Sequence, residues 1–371
     1  LTPAHPSPDE QIRTWTHTHP SWGPSYTLQA YLDREQRLLT VPLARDGGMA
    51  QWILTDGAVP PAGRPVLSSC ETLRKRALVR GGDGRVRDVW AHGVASVFTY
   101  PEFRRRGYAN KMLALFGERL AKQEADKTGE AAFSVLFSDI GKTFYAELGW
   151  MPYESAHLSF PVKPSTAGAD ESVAVEPILD ADLPSITRRD EELLRSKLSS
   201  APADPAKTRV AIIPDLDTLQ WHLARQTFMS NHLFSRAPTV HGAIYTAPGA
   251  LSSRVWGYWA RTQHGGKERP EINVLNFLRF VVEDDGISDV ELSKAIRAIV
   301  GVAQTEAREW LCTKIDMWNP DERTKKLVAD MKDLEAKYVV REGDNIPSLR
   351  WFGDGSVADV EWVANEKYAW C

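Results

Sequence analysis

Val94-Ala95-Ser96-Val97-Phe98-Thr99-Tyr100-Pro101-Glu102-Phe103-Arg104-Arg105-Arg106-Gly107-Tyr108-Ala109-Asn110 contains a change of period. Val94–Thr99 is short, largely apolar and β-branched, as a buried strand requires. After Pro101 the spacing becomes helical, with Ala109, Met112, Leu113, Phe116 and Leu120 on one face until Lys127-Thr128-Gly129 stops the helix. Between strand and helix lies Arg-x-x-Gly-x-Ala. Gly107 and Ala109 are too small to block a close approach to the backbone, so the free amides that open the helix can face an anion. Three arginines and the helix dipole, about half a positive charge, add to that field. A pyrophosphate suits such a turn. The turn is neither the Gly-Lys-Ser/Thr phosphate loop nor the Gly-x-Gly-x-x-Gly dinucleotide loop.

Upstream, Asp9–Thr16 and Thr27–Gln36 read as short helices. Leu38–Leu43 and Ala50–Leu54 read as a hairpin turning at Asp46-Gly47-Gly48, and further strands are expected in Arg64–Val79 and Arg85–Thr99. Downstream, Ala132–Phe137 reads as a strand, Lys142–Leu148 as a short helix, and Trp150 to Val162 as extended. Residues 1–162 therefore form an α/β (α+β) unit with a mixed central sheet and at least one crossover. Residues 163–176 are polar, with Pro164, Gly168, Asp170 and Glu171, and are expected to be a linker. Residues 177–371 read as a second α/β domain. Its expected helices are Leu183–Lys197, Leu216–Leu233, Val290–Trp310 and Asp321–Leu334. Its expected strands are Gly242–Thr246, Val255–Arg261, Ile272–Val282 and Cys312–Met317, with two more at the end. The order repeats that of the first half, so a degenerate second copy of one topology is an open alternative.

The chain has 371 residues and a net charge of −4, from 45 Lys and Arg against 49 Asp and Glu. That balance gives no electrostatic reason to expect nucleic acid or an anionic membrane as a partner. No run approaches the roughly 18 apolar residues of a membrane span. Cys70, Cys312 and Cys371 are too few and too scattered for a disulfide framework or a metal cluster, so no metal is expected. With no cationic-then-apolar leader in Leu1–Gln11, a reducing, cytoplasmic setting is the expectation.

The turn at Arg104, Gly107 and Ala109 resembles the pyrophosphate loop of the GNAT-type N-acetyltransferases, Arg/Gln-x-x-Gly-x-Gly/Ala between the fourth strand and third helix. A second element follows in the right order: Phe144-Tyr145-Ala146-Glu147-Leu148-Gly149-Trp150 is similar to that family's Phe-Tyr-x-x-x-Gly-Phe run. Longer stretches resemble the fungal lysine acetyltransferases of lysine catabolism. They are Ser69–Lys75, Ala95–Thr99, Phe137–Tyr145, Trp221–Arg225 and Asn365–Cys371. The resemblance implies an N-terminal GNAT fold and acetyl-CoA as the cofactor. It implies that Val97, Phe98 and Thr99 hold the pantetheine arm. It further implies that Arg104, Arg105, Arg106, Gly107, Tyr108, Ala109 and Asn110 hold the pyrophosphate, that Tyr145 protonates the departing thiolate, and that free L-lysine is the acceptor.

An amine attacks only when neutral, and a lysine side chain at pH 7 lies about 3.4 units below its pKa, roughly 4.6 kcal/mol of deprotonation. A base is therefore needed, and Val94–Thr99 holds no acid. His92, Glu71, a water chain and the carboxylate of Cys371 remain as candidates. Glu71 is also a candidate for binding the amine. On the helix Leu216–Leu233, Trp221, His222 and Arg225 lie within one turn, and Arg225 is placed to clamp a substrate carboxylate. The aromatic tail Tyr368 and Trp370 is a candidate to dock across the cleft, bringing Cys371 to the acceptor. Glu283-Asp284-Asp285, at the analogous turn of the second half, would repel phosphates, so the chain is expected to have one cofactor site, in its first half, rather than two. The second domain is expected to close over the amine pocket, in a monomer or weak homodimer. Polyamines, other amines or protein lysines as acceptors, and a non-catalytic acyl-CoA-binding module, stay open as alternatives.

Overall fold

The structure is a computed structural model and describes residues 1–61, 63–123, 131–164, 175–202, 204–249 and 253–370. The chain starts with β1 (Thr2–Ala4) and α1 (Pro8–Trp22), whose start is a capping box: the Ser7 hydroxyl accepts from Glu10 N while the Glu10 carboxylate accepts from Ser7 N. Next come α2 (Leu28–Leu38), capped by Thr27, then β2 (Met49–Thr55), β3 (Ser68–Arg80) and β4 (Val86–Thr99). The helix α3 (Tyr108–Gln123) follows, with β5 (Ala131–Ser138), α4 (Thr143–Ala146), β6 (Met151–Pro152) and β7 (Ala156–Pro161). The second half runs β8 (Val175–Ile178), α5 (Leu183–Ser200), β9 (Thr208–Ile212), α6 (Leu216–Phe234), β10 (Gly242–Thr246), β11 (Arg254–Thr262) and β12 (Val274–Val282). It continues with α7 (Asp289–Glu309), β13 (Lys314–Trp318), α8 (Glu322–Asp330), β14 (Lys337–Val340), β15 (Ile346–Trp351) and β16 (Val360–Trp362).

These strands build two mixed sheets. One runs β1-β2-β3-β4-β5-β15-β6, with β9 added beside β3 and β16 beside β9; the other runs β14-β7-β13-β12-β11-β10-β8. Each has one parallel pair at its centre, β4 with β5 and β12 with β13, flanked by antiparallel neighbours. The second sheet thus repeats the topology of the first.

The two halves also exchange a strand. β7 leaves the first half and pairs with β13 and β14, while β15 returns from the second half to sit between β5 and β6. The sequence makes this favourable through period-2 burial: Ala156, Leu158 and Phe160 all point into one core, and two of them join the cluster under α7. Divisions at 162 and 177 therefore do not separate the sheets. The exchange ties the halves together through backbone hydrogen bonds. Residues 165–174 of the expected linker lie outside the described residues, and its last two, Val175 and Glu176, already belong to β8.

One expectation is corrected and one strand is added. Leu38 ends α2 and Leu39–Leu43 forms turns and a bend instead of a strand, and Asp46 and Gly47, at φ 57° and 81°, end that turn before β2, which pairs with β3. Leu38, Val41 and Leu43 are apolar because they pack with Trp221 of α6, a burial that a strand and a turn satisfy equally. The segment Thr208–Ile212, unassigned from sequence, is β9, and Val210, Ala211 and Ile212 are fully buried. Among the described residues, no helix is long and apolar enough to cross a membrane.

Candidate active site

β4 and β5 pair in parallel from Trp90 with Ala131 to Gly93 with Val135, and the pairing then stops. Beyond it the strands part. On its other side β4 bulges: Ala95 faces Glu71 and Phe98 faces Ser69, so Ser96 and Val97 oppose Cys70 alone, and Ser96 takes φ 53°. The bulge and the splay leave the Val97–Thr99 edge without a sheet partner on the β5 side, open to a ligand's hydrogen bonds.

At the end of this edge, the Arg104 guanidinium donates from Nε to the Thr99 carbonyl at 3.1 Å and lies 5.3 Å from the Phe98 ring centroid. Arg105 and Gly107 both have positive φ, 61° and 75°, so the loop curls back before α3 begins at Tyr108. Gly107 has nothing within 4 Å of where a Cβ would stand. Arg104, Arg105 and Arg106 are exposed, and the first turn of α3 carries no acid. A curled loop, unpaired helix-start amides and three cations fit a pyrophosphate, and the open β4 edge fits a pantetheine amide chain. The residues present suit coenzyme A.

The splay opens into a cavity of about 550 Å³. One wall is the first sheet: Gln51, Cys70, Glu71, Ser96 and Val97–Thr99. Glu71 is buried, and its carboxylate accepts from Gln51 Nε2 at 2.8 Å and from Ser96 Oγ at 2.6 Å. Burial raises its pKa above the usual carboxylate range, and the nearby charge of Glu35 raises it further, against the lowering pull of those hydrogen bonds. Gln51 Oε1 is buried without a donor among the described residues. Tyr145, on α4, also lines the cavity; burial raises its hydroxyl well above its ordinary value, so it is protonated at neutral pH. Cys70 is buried too, and burial together with the Glu71 charge pushes its thiol up, which makes it a poor nucleophile.

The opposite wall comes from α1, α2 and the second half. Trp15, Tyr31, Arg34 and Glu35 face the cavity beside Trp221 and Arg225 of α6 and Trp370 of the tail. Arg34 pairs with Glu35 and stacks 4.6 Å from the Tyr31 ring centroid. The tail is pinned: buried Lys75 donates to the Ala369 and Trp370 carbonyls at 2.9 and 3.1 Å, and the Tyr368 hydroxyl donates to Ile212 O at 2.6 Å.

The structure thus brings together Val97, Phe98, Thr99, Arg104, Ala109, Tyr145, Glu71, Trp221 and Arg225 around one cavity. Arg105, Arg106, Gly107, Tyr108 and Asn110 belong to the loop and helix start between Arg104 and Lys111 and do not line it, and His92 and His222 lie elsewhere. His92 opens on a separate depression of about 220 Å³ with His5, Thr72 and Arg74, because it pairs across from Arg74 and alternation turns it away from Glu71. His222 is buried and donates from Nε2 to the Tyr368 carbonyl at 2.9 Å, so it anchors the tail. Burial and the charge of Lys75 keep it neutral. Cys371 lies outside the described residues. Sequence reading missed Arg34, Glu35 and Gln51. The first two had a signal: Tyr31, Arg34, Glu35 and Leu38 occupy one buried stripe of α2, where a charged pair is out of place.

The fold and site define a GNAT-type N-acetyltransferase. The chain belongs to the LYC1 GNAT-like family, whose C-terminal domain matches residues 157–371 and so begins within the exchanged strand β7. It is 25% identical over 421 residues to a protein of Yarrowia lipolytica named lysine acetyltransferase, covering 98% of each chain. It is 24% identical over 400 residues to an uncharacterized protein of Saccharomyces cerevisiae, covering 98% of this chain and 96% of that one. Among solved structures, a probable N-acyltransferase of Enterococcus faecalis superposes with a TM-score of 0.53 at 14% identity, covering 95% of this chain and 73% of that one. A GCN5-related N-acetyltransferase of Kribbella flavida gives 0.52 at 15%, covering 94% and 70%. At these identities the solved structures speak for the fold alone.

Proposed function

We propose that the protein transfers an acetyl group from acetyl-CoA directly to the ε-amine of free L-lysine. The observation that carries this reading is a single cavity that joins the β4–β5 splay, a buried carboxyl at Glu71 and a protonated hydroxyl at Tyr145. The relative in Yarrowia, by its name, supports lysine as the acceptor.

The loop from Arg104 to Asn110 would hold the pyrophosphate, and the Val97–Thr99 edge the pantetheine amides. Bound there, acetyl-CoA supplies an activated thioester. Glu71 receives the acceptor amine together with Gln51 Oε1, and takes its proton as the amine attacks. Its raised pKa narrows the gap to the amine's, which makes it a better base than an exposed carboxylate. The β4 edge offers amide N–H groups to the acetyl carbonyl oxygen. Tyr145 donates its proton to the departing sulfur. A cysteine relay does not fit, because the Cys70 thiol is held protonated. His92 faces another depression and takes no part in proton removal.

The test is thiol release from acetyl-CoA by the purified full chain, with L-lysine, a polyamine and a histone-like peptide offered in parallel. Release dependent on L-lysine, with ε-N-acetyl-lysine as the product, is expected. Coenzyme A binding without release on any amine would overturn the acceptor assignment; no binding at all would overturn the cofactor site.

A further inference from the structure

The two walls of the cavity have opposite unmet demands. On the sheet side, Gln51 Oε1 is an acceptor without a donor, next to the Glu71 carboxylate. On the α6 side the vacancy is for an acceptor: Trp221 is 3% exposed, and its indole N–H has no partner among the described residues. Beside it, the Arg225 guanidinium lies 6.0 Å from the Trp221 ring centroid and 5.3 Å from that of Trp370, and among the described residues it has no carboxylate within ion-pair distance. Three buried arginines differ. Arg34 has Glu35, Arg261 has Glu306, and Arg279 has Asp190 and Glu366.

Arg80 and Arg341 are buried without a carboxylate within ion-pair distance among the described residues, but they donate to the carbonyls of Ala201, Pro202 and Ala156; the half-buried Arg225 has no anion of its own among those residues, which leaves its charge available to the anion of a ligand. Arg225 lines the cavity. The indoles of Trp221 and Trp370 flank the guanidinium, and all three side chains line the cavity, where a planar guanidinium suits a bidentate carboxylate. Trp370 is itself held, with the Lys367 ammonium 4.2 Å from its ring centroid and that same ammonium 4.1 Å from Trp318.

We infer that Arg225, with the Trp221 indole N–H, binds the α-carboxylate of the acceptor and thereby restricts the enzyme to free amino acids that carry a terminal amine. This rests on the proposed transferase reading and adds the group that decides which amines enter. A lysine inside a protein has an amide where this site needs an anion, and a polyamine would bring a second cation toward Arg225. The phosphates of the cofactor would have their own cations at Arg104–Arg106.

The experiment compares L-lysine, L-lysine amide and 1,5-diaminopentane on the wild-type chain and on Arg225→Gln and Arg225→Lys. The wild type should prefer L-lysine over the other two by at least about 100-fold in kcat/KM, the lower bound set below the roughly 10,000-fold by which a site built to hydrogen-bond a polar group rejects an analogue lacking it. Arg225→Gln should lose about 100-fold on L-lysine, chiefly through KM, while changing the amide by less than about 3-fold and leaving acetyl-CoA binding by calorimetry as it was. Arg225→Lys should recover part of the loss. Equal wild-type activity on all three amines would overturn the inference while leaving the transferase reading intact. So would an equal loss on L-lysine and its amide in a variant that still binds acetyl-CoA. If none of the three is acetylated, the acceptor reading fails and the inference with it. The comparison of amines on the wild type needs no variant to fold.

Discussion

The molecule contains the same backbone device twice, and its two copies are filled differently. In the first sheet β4 and β5 part after Gly93 and Val135; in the second, β12 and β13 part after Phe277 and Met317. Both fourth-position strands bulge just past that point, at Ser96–Val97 and at Leu278. The first splay is open to a cavity. The second is filled by the chain itself, since the Glu366 carboxylate accepts from Phe280 N at 3.0 Å and pairs with Arg279. Arg279 in turn holds Asp190 at 2.8 and 3.1 Å, and Asp190 also accepts from the Tyr258 hydroxyl at 2.8 Å. A cavity of about 740 Å³ borders this place, but Glu283, Asp285, Asp321 and Glu322 line it, and α7 starts with Asp289 and Glu291 where α3 has no acid. Topology makes the opening; the side chains at its mouth decide whether an anion can enter.

The strongest way to break this comparison is to empty the second splay. Glu366→Ala removes one partner of a buried ion pair and leaves the Phe280 amide without an acceptor. The expected loss is about 3 kcal/mol in urea denaturation. It should create no second coenzyme A site, because the acidic mouth remains. A binding stoichiometry of two by calorimetry would show that the plug alone, and not the surrounding charge, silences this half.

In the first half, the corresponding change acts on rate. Tyr145→Phe keeps the ring, which packs against Phe144 with centroids 4.9 Å apart, and removes only the hydroxyl. kcat should fall about 100-fold with the Kd for acetyl-CoA unchanged. A fall in affinity with kcat preserved would make Tyr145 a wall residue and leave the thiolate without its acid.

The two halves were unequally legible in the sequence. The first advertised itself through Arg104, Gly107 and Ala109, because a phosphate loop needs particular residues at particular spacings. The repeated order of elements in the second half was also readable, since strand and helix periods survive sequence drift. The strand exchange was not, because Ala156, Leu158 and Phe160 show which face is buried and not which sheet receives it. The placement of His92 was lost for a related reason. Strand alternation separates it from Glu71, but which face carries the site depends on where α6 and the tail pack. Arg225 could be flagged from helical spacing beside Trp221. Its lack of a partner is a property of the folded cavity alone.

A subtler effect concerns the charge pair that α2 brings to the site. The Glu71 carboxyl is raised first by burial and then by the Glu35 charge. If Glu71 must be ionised to accept the amine's proton, kcat/KM falls as pH drops through that raised pKa. Glu35→Gln removes the repelling charge and frees Arg34, and both changes favour the Glu71 carboxylate. The acid limb of the kcat/KM profile should therefore move to lower pH, with the alkaline limb unmoved. A shift to higher pH, or no shift, would separate Glu71 from the proton transfer.

The smallest effect compares one glycine from each mouth. Gly107 sits at φ 75° with nothing within 4 Å of a Cβ, so Gly107→Ala meets no neighbour and costs only the backbone penalty of a left-handed residue, about 1 kcal/mol. That penalty falls on the curl that aims the helix-start amides, so it should raise the Kd for acetyl-CoA about 5-fold while leaving kcat at saturation nearly intact. Gly286 stands before α7 in the acidic loop of the second half. Its φ lies outside the left-handed region and a Cβ there would come 3.1 Å from the Asp284 carboxylate, the flexible end of a side chain. Gly286→Ala should leave the acetyl-CoA Kd where it was. If Gly286→Ala weakened binding as much as Gly107→Ala does, the cofactor would be sensing both mouths, and the division between an open splay and a plugged one would have to be redrawn.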